Sequence, residues 1–544
     1  MIEFGFGRRD ISHFEPEMTM MGWGVRTNRA RGVGVPLFAR AAILRAPAGD
    51  TRVAFVAIET LLVTQGLWWG VLDRLAEHPE LGLGAHNVIL VATHTHSGPS
   101  GFGHHFWTNL NAPGFSPTVY AGLRDGIVGA IRDACAALRP GSASLAQTTV
   151  PLAEGIAFNR SWFAYNKNVD ITPVTEARRD EATDRTLTTL RFRAPDGRLA
   201  GLVQWFALHG TAVHADNVHL HPDHKGLTAL AFEAAGLGVV CAQECCGDVS
   251  PNFRWDKRRG HTAGKTYDDR RNAEHIADAM LRHSHLAERG AAATDEIPLG
   301  DQLEVATRFV DFGRAVADAR WNLDGREHRT TPPALGLSMA EGTAEGPGPL
   351  RRVRALTRAL SRVAGVLRED PKVPFIDLAK GKDGRLFGVV PMLHTPPLDP
   401  VFAWVRGALR SGGVHPGPWV PEIVPLQLVR LGPLAIIATP FEMTTVAGRR
   451  LRATVRAALP GVEHVVVSPY ASAYVGYLTT FEEYQVQHYE AGYTLFGPHT
   501  LAALRSEVTA LAGQLGRAAL LGPVPQRVDT APLERITFAR PWHA

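Results

Sequence analysis

The sequence predicts an α/β chain of mixed α+β type, folded as a single large domain whose working groups gather at the carboxyl ends of strands. Three observations lead there. Short apolar, β-leaning runs recur along the 544 residues. Ala/Leu/Arg segments with helical spacing lie between several of them. Five of the runs end on a polar side chain of reactive type. Rigid strands that each deliver such a group position loop residues around a shared crevice, as in open α/β sheets.

Taken in chain order, the strand-like runs are RVAFVAIET, NVILVATH, LTTLRFRA, LAGLVQWFALH, GVVCAQE, PLAIIATP and EHVVVSP. The clearest helical segments are YAGLRDGIVGAIRDACAALRP and RNAEHIADAMLRHSH. There is no repeat period and no Gly/Ser linker, so the chain reads as one unit. The stretch from Arg326 to Pro349, rich in Pro, Gly, Thr and Glu, is expected to be the least ordered. A basic helical pattern follows, LRRVRALTRALSRVAGVLRED, read as a solvated cationic face, with contact to a membrane surface or an approaching substrate as the sharper alternative. Pro-rich connections recur at HTPPLDP and HPGPWVPEIVP.

Composition excludes several classes. With 45% hydrophobic and 20% charged residues the chain has ordinary globular balance. Its 57 basic and 53 acidic residues leave a net charge of +4, and no long basic run occurs, so no nucleic-acid partner is expected. Cys135, Cys241, Cys245 and Cys246 are too few for a disulfide framework. The last three read as small buried apolar groups continuing GVVCAQECC, with a Cys-rich zinc site as the alternative. No apolar stretch approaches the roughly 18 residues that span a bilayer. The start MIEFGFGRRDISHFEP has no apolar signal core. The expectation is therefore a cytoplasmic protein as the sequence stands, or a secreted one if it has been trimmed.

The polar groups at the strand ends are specific. NVILVA leads into His94 and His96; residues i and i+2 of an extended chain share a face, so both can reach one pocket. They read equally as metal ligands, an acid–base pair or a polar turn. His209 follows GLVQWFAL, and taken alone it reads as a satisfied, half-buried histidine. Glu442 follows LAIIATP, where a carboxylate also suits a helix amino terminus. Two or three histidines with a glutamate are the ligand set of a catalytic zinc, although no HExxH motif marks it. GDVSPN brings Asp248, Ser250 and Asn252. Ser250 stands as nucleophile, hydrogen-bond donor or plain turn serine, and no base lies near it in sequence. The segment HGTAVHADNVHLHPDHKG adds His214, His219, His221, Asp223 and His224, read as a flexible polar loop, with a second metal as the alternative.

Several segments together resemble the catalytic domain of the neutral (neutral/alkaline, non-lysosomal) ceramidase family. They are MMGWG, ATHTHSGPS, NRSWFAYNKN, DRTLTTLRF, FALHGTAVHADN, GDVSPN, LGLSMAEGTAEGPG, EIVPLQLVRLGPLAIIATPFEMTTVAGRRLR and TTFEEYQVQHYEAGYTLFGPHTLAAL, in the family's order. The resemblance runs over 1–522, leaving 523–544 as a carboxyl-terminal tail, with the family's immunoglobulin-like domain expected to be absent. It implies a zinc-dependent amidohydrolase, one Zn2+ per chain, that splits the N-acyl bond of ceramide or a related N-acyl lipid. His94, His209, Glu442 and Tyr477 become the metal ligands. His96 becomes an acid–base or orienting group beside the metal, and Arg160 and Ser250 the other active-site positions. Arg160 and Tyr477 would stabilise the developing oxyanion. Phe441 and Met443 stand where the family has glycine and phenylalanine, which predicts a reshaped pocket beside Glu442. Three alternatives accompany this reading: a hydrolase of another N-acyl amide, a serine esterase using Ser250, and a lipid-binding relative without catalysis. The substrate partner is an N-acyl lipid, with peripheral contact at a membrane surface and an unspecified oligomeric state.

Overall fold

The computed structural model describes residues 1–25, 27–47, 51–112, 114–285, 296–368, 370–380, 383–387, 389–391, 394, 400–412, 417–517 and 520–534. Most of the HTPPLDP connection, the start of HPGPWVPEIVP and the end of the expected tail, from residue 535, lie outside the described residues.

Two sheets organise the chain. The first contains β1 (Ile2–Asp10), β2 (Phe38–Arg45), β3 (Arg52–Ile58), β4 (Val88–Ala92), β5 (Arg139–Thr149), β6 (Thr186–Arg193), β7 (Leu199–Phe206) and β8 (Gly238–Gln243), in the order β8-β7-β6-β5-β1-β2-β3-β4. A short ninth strand, Ile297–Pro298, pairs with β5. The second sheet contains β9 (Leu303–Asp311), β10 (Ile423–Leu431), β11 (Leu434–Ala438) and β12 (His464–Ser468), ordered β12-β11-β10-β9, with Leu520–Leu521 along the far edge of β9.

Alternation along the strands sets the layers. Val53, Phe55 and Ala57 of β3 share one core with Val305 of β9, Leu434 and Ile436 of β11 and Trp205 of β7, so the two sheets meet face to face. The alternate residues, Ala54, Val56 and Ile58 of β3 and Leu426, Leu428 and Ile437 of the second sheet, face helices instead. Helices α1 (Gln65–Ala76), α2 (Pro117–Ala136), α3 (Asp223–Ala234) and α4 (Asp269–His285) cover the first sheet, and α6 (Thr445–Ala458) and α7 (Thr500–Ala512) cover the second. The result is a helix–sheet–sheet–helix sandwich, the mixed fold that the sequence predicts. Helix α5 (Arg354–Arg368) lies apart from these layers, against the turn Leu337–Glu341. The amino ends of α1 and α2 are closed by Thr64 and Ser116, whose hydroxyls accept from the Leu67 and Val119 amides.

Most strand neighbours run antiparallel. The parallel pairs β3/β4, β7/β8 and β11/β12 deliver the candidate site residues from their carboxyl ends. Two expectations of disorder are corrected. The Arg326–Pro349 stretch folds: the Thr331 and Ala334 amides donate to the Phe496 and Leu495 carbonyls, and the Leu337 amide to Val373. Its Pro and Gly residues set turns, and the order comes from partners far off in sequence. The loop after His209 also packs inward, with His214, His221, Asp223 and His224 all buried. Asp223 holds His224 at 2.8 Å and Asp269 lies 3.3 Å from the His214 ring, so protein partners engage these side chains. The three clustered cysteines are buried, as their apolar run suggests.

The first and second histidine segments touch at Gly210. Thr95 and Gly210 form a parallel bridge, and a Cβ at 210 would lie 2.3 Å from the His94 carbonyl oxygen. Gly210→Ala is therefore expected to lower stability by about 1–3 kcal/mol and to reduce activity at least about tenfold by displacing His94. Thermal unfolding and turnover, measured on the same preparation, check both.

Candidate metal centre

His94 leaves β4 in the left-handed conformation, with φ 69°. That backbone is strained for a non-glycine residue and turns the ring inward, toward the end of β7. Its Nδ1 lies 2.7 Å from the Leu61 carbonyl. His209, at the end of β7, places Nδ1 2.7 Å from the Cys246 carbonyl and 3.0 Å from that of Val249. A carbonyl only accepts, so each Nδ1 carries the proton and each Nε2 is left as a bare lone pair. The ring of Tyr470 stacks on His94 at 4.3 Å and fixes its plane.

Glu442 completes the convergence. Its Oε2 accepts from the Tyr474 hydroxyl at 2.7 Å. Its Oε1 lies 2.9 Å from His209 Nε2 and 3.4 Å from His94 Nε2. Neither His209 Nε2 nor Glu442 Oε1 makes a hydrogen bond, and both are buried. Burial and the nearby Arg160 lower the His209 pKa, which disfavours a second proton on that ring. Lone pairs of nitrogen and oxygen thus face one another without a hydrogen between them, the situation a cation resolves. The donor types and the carbonyl-anchored rings fit zinc.

His96 points at the same centre, its Nε2 3.4 Å from His94 Nε2. Among the described residues, His94, His96 and His209 form the group of histidines, cysteines and acids that could hold a metal. His96 differs from the other two in one respect: its Nδ1 is buried with no hydrogen-bond partner, and no main-chain carbonyl anchors the ring, whose Nε2 faces the His94 lone pair. Burial, with His94 and His209 beside it, pushes its pKa well below the usual imidazole value. Trp23 packs edge-on against it at 5.1 Å.

Tyr477 stands beside Glu442 because the two-residue strands Glu442–Met443 and Tyr477–Leu478 pair in parallel, with those residues as partners. Paired residues project to one face. Burial and Glu442 push its phenol well above the usual value, against the pull of Arg160. Arg160 donates to Tyr477 at 3.0 Å, Glu345 at 2.7 Å, Glu490 at 2.8 Å and the Gly247 carbonyl at 2.8 Å. Ser250 is fully buried and donates to Glu345 Oε2 at 2.6 Å. The base that sequence proximity could not supply is therefore present, 95 residues away. It is a weak one: although burial raises a carboxyl, Arg160 and the other groups around it hold Glu345 at about 2.

The structure thus brings His94, His96, His209, Glu442, Tyr477 and Arg160 together, with Ser250 behind Glu345. Sequence reading missed Glu345, Glu490, Tyr470 and Tyr474. The only local signal was the run of tyrosines in YASAYVGY. Phe441 and Met443 are buried, and Phe441 packs against Phe312 at 4.9 Å. Neither lines the pocket directly; both pack behind Glu442.

The centre opens on a pocket walled by Leu61, Leu62, Met21, Trp107, Tyr489 and Tyr493. A narrow recess shares Leu62, Trp107, Thr108 and Tyr474 and continues past Trp419, Val420 and Pro421, with Thr64, Gln65 and His105 also on its wall. Nitrogen and carboxylate donors opening on an apolar pocket at strand ends are the arrangement of a hydrolytic metal centre.

The comparisons agree with that class. A family model described as neutral/alkaline non-lysosomal ceramidase, N-terminal, matches residues 2–372 and 407–506. The neutral ceramidase of Pseudomonas aeruginosa is 33% identical over 511 residues, covering 92% of this chain and 70% of the relative. That of Mycobacterium tuberculosis is 31% identical over 552 residues, covering 97% and 79%. A solved structure titled "Ceramidase complexed with C2" superposes with a TM-score of 0.78 at 30% identity, over 97% of this chain and 77% of that one. The chain belongs to the neutral/alkaline non-lysosomal ceramidase family, a family of amide hydrolases.

Tyr474→Phe is expected to leave the fold intact and to weaken metal affinity by about 10–100-fold, since it removes the donor that orients Glu442. A competition titration against a chelator of known affinity measures this.

Proposed function

We propose that the protein hydrolyses the N-acyl bond of ceramide or a related N-acyl lipid, using one zinc ion held by His94, His209, Glu442 and Tyr477. The observation that carries the reading is the pair of bare, buried atoms, His209 Nε2 and Glu442 Oε1, at 2.9 Å with no hydrogen bond. Zinc bound there supplies a Lewis acid for the amide carbonyl and a source of hydroxide near neutral pH.

The chain's own groups do the rest. Leu61, Cys246 and Val249 hold the two rings in the tautomer a ligand needs. Tyr474 anchors Glu442 through its second oxygen. His96 faces the centre with an unpartnered Nδ1 and a pKa well below the usual imidazole value, which keeps the ring neutral and suits it to orient the substrate or pass a proton on rather than hold one. Arg160 spends its donors on two carboxylates, a carbonyl and Tyr477, so it acts as a positioning residue for Tyr477. The apolar side chains Leu62, Trp107, Trp419 and Val420 along the pocket and its recess suit an acyl chain. The names of the relatives, neutral ceramidases, support ceramide as the substrate.

Purified protein is expected to contain about one zinc per chain, to lose ceramide hydrolysis to a chelator and to regain it with zinc. Mass spectrometry should detect a fatty acid and a sphingoid base in equal amounts. Metal-free protein with full activity would sink the metal reading, and preference for another N-acyl amide in a substrate panel would replace ceramide.

The serine-esterase alternative is disfavoured, because Ser250 is fully buried and its partner carboxylate is held at about 2, too weak a base for a nucleophile. Ser250→Ala is expected to retain activity within about tenfold, whereas removing a true serine nucleophile costs about a millionfold. Steady-state kinetics on one substrate decide between them.

A further inference from the structure

We propose that α5 is a docking element for an anionic lipid surface. Residues 351–368 carry arginine at 351, 352, 354, 358, 362 and 368 and no acidic residue. At helical spacing Leu356, Leu360, Val363 and Leu367 fall on one stripe. All four face solvent, with 59, 44, 56 and 76% of their surface exposed. This reverses the usual surface helix, which buries its leucines. The ridge turned toward the protein is Thr357 and Ser361, both buried. Thr357 Oγ1 donates to the Glu341 carboxylate, and Arg358 lies over the Phe163 ring at 5.4 Å. These anchors fix the roll of the helix and hold the apolar stripe outward.

An outward apolar stripe on an arginine-rich helix matches the headgroup boundary of a bilayer containing anionic lipid. There the leucines enter the acyl region and the guanidiniums meet phosphates. The unbalanced positive charge of the segment selects that occupant over an apolar protein face. Position agrees: α5 packs on the turn Leu337–Glu341, which packs on Tyr489–Gly492, and Tyr489 lines the pocket. Docking would set the pocket beside the layer that holds its substrate. That benefit rests on the proposed lipid amidase activity; the docking itself does not.

The test is co-sedimentation of the full chain with vesicles of phosphatidylcholine, alone or mixed with phosphatidylglycerol, at low and high salt. Binding to the mixed vesicles is expected, weakened by salt. It should fall about tenfold or more in Leu360→Gln/Val363→Gln and in Arg352→Glu/Arg362→Glu. Turnover of a short-chain substrate in detergent should stay within about twofold in both variants, as surface substitutions generally allow. Three results would each overturn the proposal: equal binding by wild type and variants, equal binding to both vesicle types, or a wild-type dimer that the apolar substitutions dissociate in light scattering. The last would assign the stripe to a second copy of the chain. Vesicle binding without any hydrolysis of N-acyl lipids would instead sink the function reading and leave the docking in place.

Discussion

The centre of the molecule depends on two ring hydrogens being already committed. By donating Nδ1–H to main-chain carbonyls, His94 and His209 turn their other nitrogens toward Glu442 as lone pairs. Backbone, not side chain, makes that choice, so it is as rigid as the sheets themselves. A main-chain carbonyl has no proton to give, so it can only accept Nδ1–H. The chemistry at the centre is therefore set by main-chain geometry at Leu61, Cys246 and Val249.

The layers explain why those carbonyls are in place. The first sheet provides β4 and β7 for the histidines and β8 for the Cys246–Val249 turn, while the second provides β11 for Glu442 and β12 for the tyrosines. The core shared by the two sheets fixes one set of strand ends against the other. Further links cross near the site: the Ser472 amide donates to the Leu90 carbonyl, and Gln427 Nε2 to the Val88 carbonyl at 3.0 Å. The centre is thus assembled between two sheets, and neither sheet alone holds all its donors.

Much of this was legible in the sequence. The five apolar runs became β4, β7, β8, β11 and β12, because continuous apolar character is what a strand buried on both faces requires. His94, His209 and Glu442 were legible as strand-end groups, and their convergence followed from parallel pairing. Tyr477 reached the candidate set through family resemblance alone, since its place depends on a two-residue pairing with Glu442 that leaves no periodic trace. Glu345 was hidden in a Gly- and Pro-rich stretch whose order comes from residues near 373 and 495. The helical period of Leu356, Leu360, Val363 and Leu367 could be read, but not which way the stripe faced. Period alone is silent on which ridge finds a partner, and here the polar ridge found Glu341.

His94, Tyr470 and Ser472 all sit at positive φ, at 69°, 59° and 57°. Each costs about 1–3 kcal/mol of backbone strain relative to an unstrained residue. An engineer seeking heat resistance would be drawn to these three positions, where glycine relieves the backbone. At His94 it would delete a donor, at Tyr470 the ring that keeps the donor's plane, and at Ser472 a tie between the sheets. Relief at these three would be taken from the working parts, and a hardier enzyme is better sought at strained positions away from the centre, such as Glu17 and Phe387.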